Sequence, residues 1–313
     1  MVCLKEEISF LSTDGKNTVR GEINLPDGKP LAVIAISHGM IDHIGRYTRL
    51  VEYMTSRGFA VAGNDHLGHG KTAACKDDFG YFAHRGGYKL VVDDLKLMND
   101  KLHERFPDIP IFLLGHSMGS FMARLYVEKY PDTVAGVVIH GTGGRNPLLP
   151  LGKALVGVTR FFRGDKHRPV LITKIAFGAY NNHFDKAEGM NAWLTREGSL
   201  VADRAEDPYV QFLFTVAGYR DLFDSIGLSN SGAHFKAYPK ELATLIVSGD
   251  EDPVGNYGKG VRYVYEKLRD AGACDLTVKI YHGARHELFN ETNREEIFSD
   301  ISEWILKRIN PQG

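Results

Sequence analysis

Apolar positions fall along this chain in two alternating rhythms. Residues 31–36 form an unbroken apolar run, the pattern of a strand covered on both faces. Residues 59–64, 111–114, 134–140 and 242–247 are further short strand candidates, and 275–281 follows them. Between these runs the spacing becomes helical. In 87–106, Leu90, Val91, Asp94, Leu95, Met98 and Leu102 recur near one face, and Pro107 ends the segment. Helices are likewise predicted over 47–56, 118–130, 257–271 and 294–309. At the start, 7–11 and 17–25 flank the turn residues Ser12-Thr13-Asp14-Gly15, which predicts an antiparallel hairpin.

Strand and helix in alternation predict an α/β fold, a mostly parallel central sheet with helices on both faces. The alternation breaks in the middle. From about 145 to 235 no buried strand is visible, and 148–162, 190–195 and 208–223 read as amphipathic helices. The expected organisation is therefore a core of residues 1–144 and 236–313 interrupted by a helical cap, 145–235. Leu148, Leu149, Leu151, Leu155, Val156, Val158, Phe161 and Phe162 give the cap an apolar face. Such a face either lies over a substrate or packs the cap onto the core.

The chain has 313 residues, enough for one such domain with an insertion. Lys plus Arg number 38 against 39 Asp plus Glu, so there is no broad basic field and nucleic acid is not an expected partner. No apolar run approaches the ~18 residues of a membrane span, and the first residues lack the pattern of a secretory signal. Cys3, Cys75 and Cys274 are scattered and odd in number, which fits a reducing, cytoplasmic setting rather than a disulfide framework.

The chemistry concentrates at predicted strand ends. Gly115-His116-Ser117-Met118-Gly119 follows one strand and opens a helix, the arrangement of a nucleophile elbow. A serine hydroxyl needs a base within reach, and a sharp strand-to-helix turn projects it outward. The glycines remove side chains that would collide in that turn. An oxyanion hole needs the amide after the nucleophile, here Met118, and a second amide past an earlier strand. Ser37-His38-Gly39-Met40 ends such a strand, which assigns the Met40 amide. An acid and then a histidine must follow in chain order. The strand 242–247 runs into Ser248-Gly249-Asp250-Glu251-Asp252-Pro253, where Asp250 and Asp252 are both candidates for the acid, with capping or bracing the turn as the alternative role for Asp250. After the strand 275–281 comes Gly283-Ala284-Arg285-His286-Glu287, and His286 is the expected base; His282, before Gly283, is assigned to the strand. Other histidines, among them His38, His66, His69 and His116, also lie near strand ends, where structural roles are the common case. Gly70-Lys71-Thr72 is no phosphate loop, because position 65 carries Asp65 where that pattern needs glycine. His66 and His69 have no paired ligands at metal-binding spacing, and no cofactor or metal is expected.

With these residues in place, the chain resembles the monoglyceride lipase and lysophospholipase branch of the α/β-hydrolases. The resemblance rests on Ser37-His38-Gly39-Met40, Asp42-His43-Ile44-Gly45-Arg46-Tyr47, Asn64-Asp65-His66-Leu67-Gly68-His69-Gly70, Gly115 to Gly119, Gly249 to Asp252, and His286. It covers the core on both sides of the insertion. The family's acid falls three residues after the glycine of the acid loop, which implies Asp252 rather than Asp250. The family carries a small residue after His-Gly, whereas this chain has Met40, and Lys71-Thr72 departs mildly from the usual sequence after Gly-His-Gly. In the cap, Phe177-Gly178-Ala179-Tyr180-Asn181-Asn182 and Trp193-Leu194-Thr195-Arg196 resemble bacterial lysophospholipase-like members.

The resemblance implies a serine esterase acting on a small-molecule acyl ester of monoacylglycerol or lysophospholipid type, with transient contact to a membrane surface through the cap. An amidase, peptidase or acyltransferase would use the same Ser117, Asp252 and His286. A non-catalytic binding protein on this fold would be expected to lack one of the three.

Overall fold

The computed structural model describes residues 4–189 and 191–309. The eight strands are β1 (Leu4–Leu11), β2 (Thr18–Leu25), β3 (Val33–Ser37), β4 (Ala60–Asn64), β5 (Ile111–His116), β6 (Gly136–His140), β7 (Ala243–Gly249) and β8 (Leu276–Tyr281). They form one sheet in the order β1-β2-β4-β3-β5-β6-β7-β8. β1 and β2 pair antiparallel, as does β2 with β4. The pairs from β4 onward through β3 to β8 are all parallel. The chain thus forms the expected α/β-hydrolase sheet.

Ten helices accompany it among the described residues: α1 (Thr48–Ser56), α2 (Gly87–Arg105), α3 (Met118–Lys129), α4 (Leu149–Arg163), α5 (Val170–Phe177), α6 (Gly198–Glu206), α7 (Val216–Ser229), α8 (Gly232–Ala237), α9 (Lys259–Asp270) and α10 (Arg294–Ile309). Strand periodicity divides the core into two layers. Val33, Ala35, Ile111 and Leu113 face α2, α3 and α9, while Ile34, Ile36, Phe112 and Leu114 face α1 and α10. The unbroken apolar runs of the sequence are therefore strands buried on both sides.

Register fixes where the chemistry lies. Ser37 pairs with Gly115, Gly115 with Ile139, and Ile139 with Ile246. In a parallel sheet every loop leaving these strands emerges at one edge. Ser117, Asp252 and His286 all lie beyond the C-terminal ends of their strands, on that edge.

Every element described between β6 and β7 is helical or a turn. Three details differ from the sequence reading. Residues 191–194 are a turn, not a helix, and Met190 lies outside the described residues. The backbone there bonds elsewhere: Trp193 and Leu194 carbonyls accept from His286 and Glu287. The helix expected over 208–223 is a 3₁₀ turn at Pro208–Val210 followed by α7. The Asp207 carboxylate caps the turn at the Tyr209 amide, and the Thr215 hydroxyl caps α7 at the Gly218 amide, so two starts divide one apolar stretch. His282 is in a turn with a solvent-exposed side chain, not in β8.

The apolar face of α4 is resolved in an unexpected way. Val156 is buried, but Leu148, Leu151, Val158, Phe161 and Phe162 point to solvent, with Phe161 at 84% exposure. Val170, Leu171 and Ile175 of α5 are exposed beside them in sequence. No helix among the described residues is long and apolar enough to cross a membrane. Cys75 and Cys274 are free and exposed; Cys3 lies outside the described residues.

Candidate active site

Ser117 occupies the turn between β5 and α3 with φ 52° and ψ −116°. This is a strained backbone for a residue with a side chain, costing on the order of 1–3 kcal/mol. The neighbours hold it there. The Ser117 amide donates to the His140 carbonyl at 2.9 Å, and the Ser117 carbonyl accepts from the Ser120 amide at 2.9 Å. A Cβ on Gly119 would lie 1.9 Å from the Ser37 carbonyl oxygen, and one on Gly115 would lie 2.4 Å from the Gly119 oxygen. Only glycine fits either position, so the motif's spacing is a packing requirement of the turn.

The loop after β3 lies against the elbow. A Cβ on Gly39 would sit 3.3 Å from the Ser117 Cβ. The Gly39 carbonyl is gripped by His38 Nδ1 at 2.9 Å. The His66 amide donates to His38 Nε2 at 2.9 Å, so the His38 proton is on Nδ1 and the ring is neutral. Burial lowers the His38 pKa and favours that same neutral form. With the Gly39 carbonyl turned toward His38, the Met40 amide across the trans peptide points the opposite way. His66 and His69 complete a buried histidine cluster around His38, with ring centroids 4.1 and 5.1 Å from it.

Both carboxylates of the acid loop have clear places. Asp252 is fully buried, and its Oδ2 lies 3.0 Å from His286 Nδ1. Its other oxygen accepts from the Val254 amide at 2.8 Å, and Ser248 Oγ donates to Oδ2 at 3.3 Å. Asp250 instead braces the next loop: it accepts from the Gly283 amide at 2.6 Å and contacts His282 Nδ1 at 2.8 Å. His286 is buried, with Nδ1 committed to Asp252 and Nε2 left for a partner. Among the described residues the Ser117 hydroxyl makes no hydrogen bond to His286. Catalytic contacts in a ligand-free site are often long and tighten on the substrate complex.

Around His286 stand rings that stay neutral. His116 and His140 pack with centroids 4.3 Å apart and planes tilted by 33°, and His116 lies 4.9 Å from His286. Burial pushes the His116 pKa well below its ordinary value and takes His140 to about 3. Next to His286, the Glu287 carboxylate enters a buried ionic cluster. Arg46 bridges Asp42 at 2.9 Å and Glu287 at 3.1 Å, and Tyr47 donates to Asp42 at 2.9 Å. Burial alone would raise both acids, but Arg46 and Arg204 hold Glu287 at about 2, and Arg46 foremost holds Asp42 well below the carboxylate range. Arg204, on α6, also donates to the Ile41 carbonyl at 2.8 Å. His43 meets Asp207 at 2.7 Å. These contacts join the helical segment to the loop after β3.

The sequence assigns no role to Arg204 or Glu287, and Trp193 enters it only within the cap segment Trp193–Arg196. Arg204 and Trp193 lie in the segment without strand signals, far from the motifs in sequence. Glu287 had one available signal, a carboxylate next to the candidate histidine.

The chain is similar to several known proteins. A family model described as serine aminopeptidase, S33, matches residues 28–293. The monoacylglycerol lipase of Mycolicibacterium smegmatis is 27% identical over 314 residues, covering 97% of this chain and 98% of that protein. The human monoglyceride lipase is 28% identical over 299 residues, covering 92% of this chain and 86% of that protein. Among solved structures, a thermostable carboxyl esterase from Bacillus coagulans in complex with glycerol superimposes with a TM-score of 0.91 at 28% identity, covering 98% of this chain and 100% of that one.

Proposed function

Since the chain belongs to the serine aminopeptidase S33 family of α/β-hydrolases and resembles its monoglyceride lipase branch, we propose that it is a carboxylic ester hydrolase working through Ser117, His286 and Asp252. The observation that carries the reading is the buried Asp252–His286 bond of 3.0 Å at the sheet edge where the strained Ser117 turn also emerges.

Ser117 Oγ attacks the ester carbonyl carbon as His286 Nε2 takes its proton. Asp252 keeps the His286 Nδ1 proton in place and stabilises the imidazolium. The negative oxygen is received by the amides of Met118, at the positive end of α3, and Met40. His286 gives its proton to the leaving alkoxide, which departs as the alcohol. Water, deprotonated by His286, then attacks the acyl-serine; the acyl–Oγ bond breaks, His286 returns the proton to Ser117 Oγ, and the acid is released.

The substrate in this reading is a monoacylglycerol or lysophospholipid. The support is the similarity to monoacylglycerol lipases, the likeness of 177–182 and 193–196 to lysophospholipase-like members, and the helical segment between β6 and β7, read as a cap of residues 145–235 over residues 1–144 and 236–313. The exposed apolar side chains of α4 and α5 support transient contact of that cap with a lipid surface, since large exposed apolar patches mark interaction sites.

Labelling with a fluorophosphonate tests the nucleophile: Ser117→Ala is expected to abolish both labelling and ester hydrolysis. A panel of p-nitrophenyl esters of increasing chain length, matched amides, monoacylglycerols and lysophospholipids tests the substrate. A clear preference for acetate over octanoate, or for amides over esters, would overturn the lipid ester reading.

A further inference from the structure

Two rings pack on the buried His286 imidazole: His116, with centroids 4.9 Å apart, and the Trp193 indole of the helical segment, 5.1 Å away and tilted by 35°. Trp193 is itself held in place. The Asn181 side chain accepts from its amide at 3.0 Å, and Tyr180 packs edge-on against the indole at 5.1 Å. Its backbone is tied to the histidine loop: the His286 amide donates to the Trp193 carbonyl at 3.4 Å, and the Glu287 amide to the Leu194 carbonyl at 2.7 Å. A segment inserted more than fifty residues into the β6–β7 connection thus reaches back to touch the candidate base.

We propose that Trp193 is a positioning residue for ester hydrolysis, whose indole face stabilises the His286 imidazolium formed in each step. This inference rests on the reading of His286 as the base. Asp252 stabilises the cation in the ring plane, through Nδ1. The Trp193 indole, 5.1 Å away, lies within the about 6 Å over which the negative face of an indole stabilises a cation, by roughly a factor of 2 to 30 from exposed to desolvated settings. Burial keeps the neighbouring His116 ring neutral, so it brings no opposing positive charge to the imidazolium.

The surroundings let a pH profile isolate this effect. The ionisable groups around His286 are Asp252 after β7, His116 at the end of β5, His140 at the end of β6, and its chain neighbours Arg285 and Glu287; Tyr180 packs on Trp193, and the Tyr257 amide donates to the Asp252 carbonyl. Glu287 is paired with Arg46 and Arg204, and Arg285 with Glu188. His116 and His140 stay neutral, and burial raises both tyrosines away from neutrality.

The test is the pH dependence of kcat/KM on a soluble short-chain p-nitrophenyl ester. Trp193→Leu is expected to move the acidic limb down by roughly 0.4–1.5 pH units and to lower the plateau about 2- to 30-fold. Removing stabilisation of the cation lets the neutral base persist to lower pH, which fixes the direction. A plateau that falls with the limb unmoved would show a packing role alone and overturn the proposal. Difluorotryptophan incorporated into Trp304→Phe protein gives the second arm. It weakens the indole face without changing its shape, so the limb is expected to move in the same direction; an unmoved limb again overturns the proposal. Fluorophosphonate labelling accompanies each variant. Label on Ser117 with an unmoved limb rejects only the role of Trp193, whereas label on another residue of the unmodified protein rejects the underlying reading of the site.

Discussion

Gly119 and Ser37 meet so closely that the first atom of any side chain at position 119 would stand 1.9 Å from the Ser37 carbonyl oxygen. This contact presses the start of α3 against the end of β3. It brings the Ser117 turn and the Gly39–Met40 peptide to the same place. Gly119→Ala is therefore expected to cost about 2 kcal/mol or more by forced displacement of backbone, read as a lower urea midpoint. Hydrolysis should fall further than stability, because the displaced peptide carries the Met40 amide. An unchanged midpoint would show that the turn can open without strain.

The two acids of the loop after β7 are expected to separate by activity. Asp252→Asn leaves the geometry but offers His286 Nδ1 a donor, and a loss of kcat on the order of 10⁴ is expected by analogy with the triad of other serine hydrolases. Asp250→Asn disturbs only the Gly283 and His282 contacts, so a loss below about tenfold is expected. Equal losses in steady-state assays would count against the assignment of Asp252.

His38 is expected to matter for rate rather than for binding. His38→Leu frees the Gly39 carbonyl now held at 2.9 Å, and with it the direction of the Met40 amide. Losing one oxyanion donor costs about 10²–10³ in kcat, and a misdirected one should cost at least about tenfold. KM should change little. A rise in KM at constant kcat would place His38 outside the oxyanion machinery.

Acid should weaken the fold in two stages. Burial lowers His69, His140 and His234 from 6.5 to about 3, so they stay neutral when folded and take up protons on unfolding. Their contribution is complete above pH 6.5 and is lost as the pH falls toward 3. Each adds a slope of up to about 1.4 kcal/mol per pH unit in that window. Glu287, held at about 2 against an ordinary 4.5, adds stability above pH 4.5 that is lost on going down to 2. Urea midpoints measured from pH 8 to pH 4 should fall steadily below 6.5; a flat profile would mean that these histidines gain protons in the folded state.

The exposed aromatic pair of α4 should report on lipid surfaces. Phe161→Ser with Phe162→Ser removes two side chains at 84% and 74% exposure. Vesicle sedimentation is expected to drop by at least about tenfold, from the apolar area withdrawn from lipid, while hydrolysis of a soluble short-chain ester stays within about twofold. Undiminished vesicle binding would move the contact elsewhere.

The elements that set the sheet were legible because each carries its cause locally. The apolar run 31–36 could only be a doubly covered strand, and it became Val33–Ser37. The closing helix lies at Arg294–Ile309, its predicted bounds. The elbow was legible for the same reason, since its glycines are demanded by atoms within the motif and one neighbouring strand. The segment between β6 and β7 was less so. Residues 191–194 have helical composition, yet their carbonyls serve the His286 loop and the helix does not form. The apolar side of α4 has the right period for a packed face, but period records only which residues share a side and says nothing of what covers it.

The sequence by itself determined the order of strands and helices, the glycine-flanked serine and the strand ends from which an acid and a histidine depart. These follow from steric and hydrophobic rules that act within a few residues. Tertiary structure decided which acid meets His286, which tautomer His38 adopts, and that Trp193 covers the imidazole. Those outcomes depend on contacts between residues 34, 28 and 93 positions apart, and only the folded chain sets the distances and buries the charges that settle them.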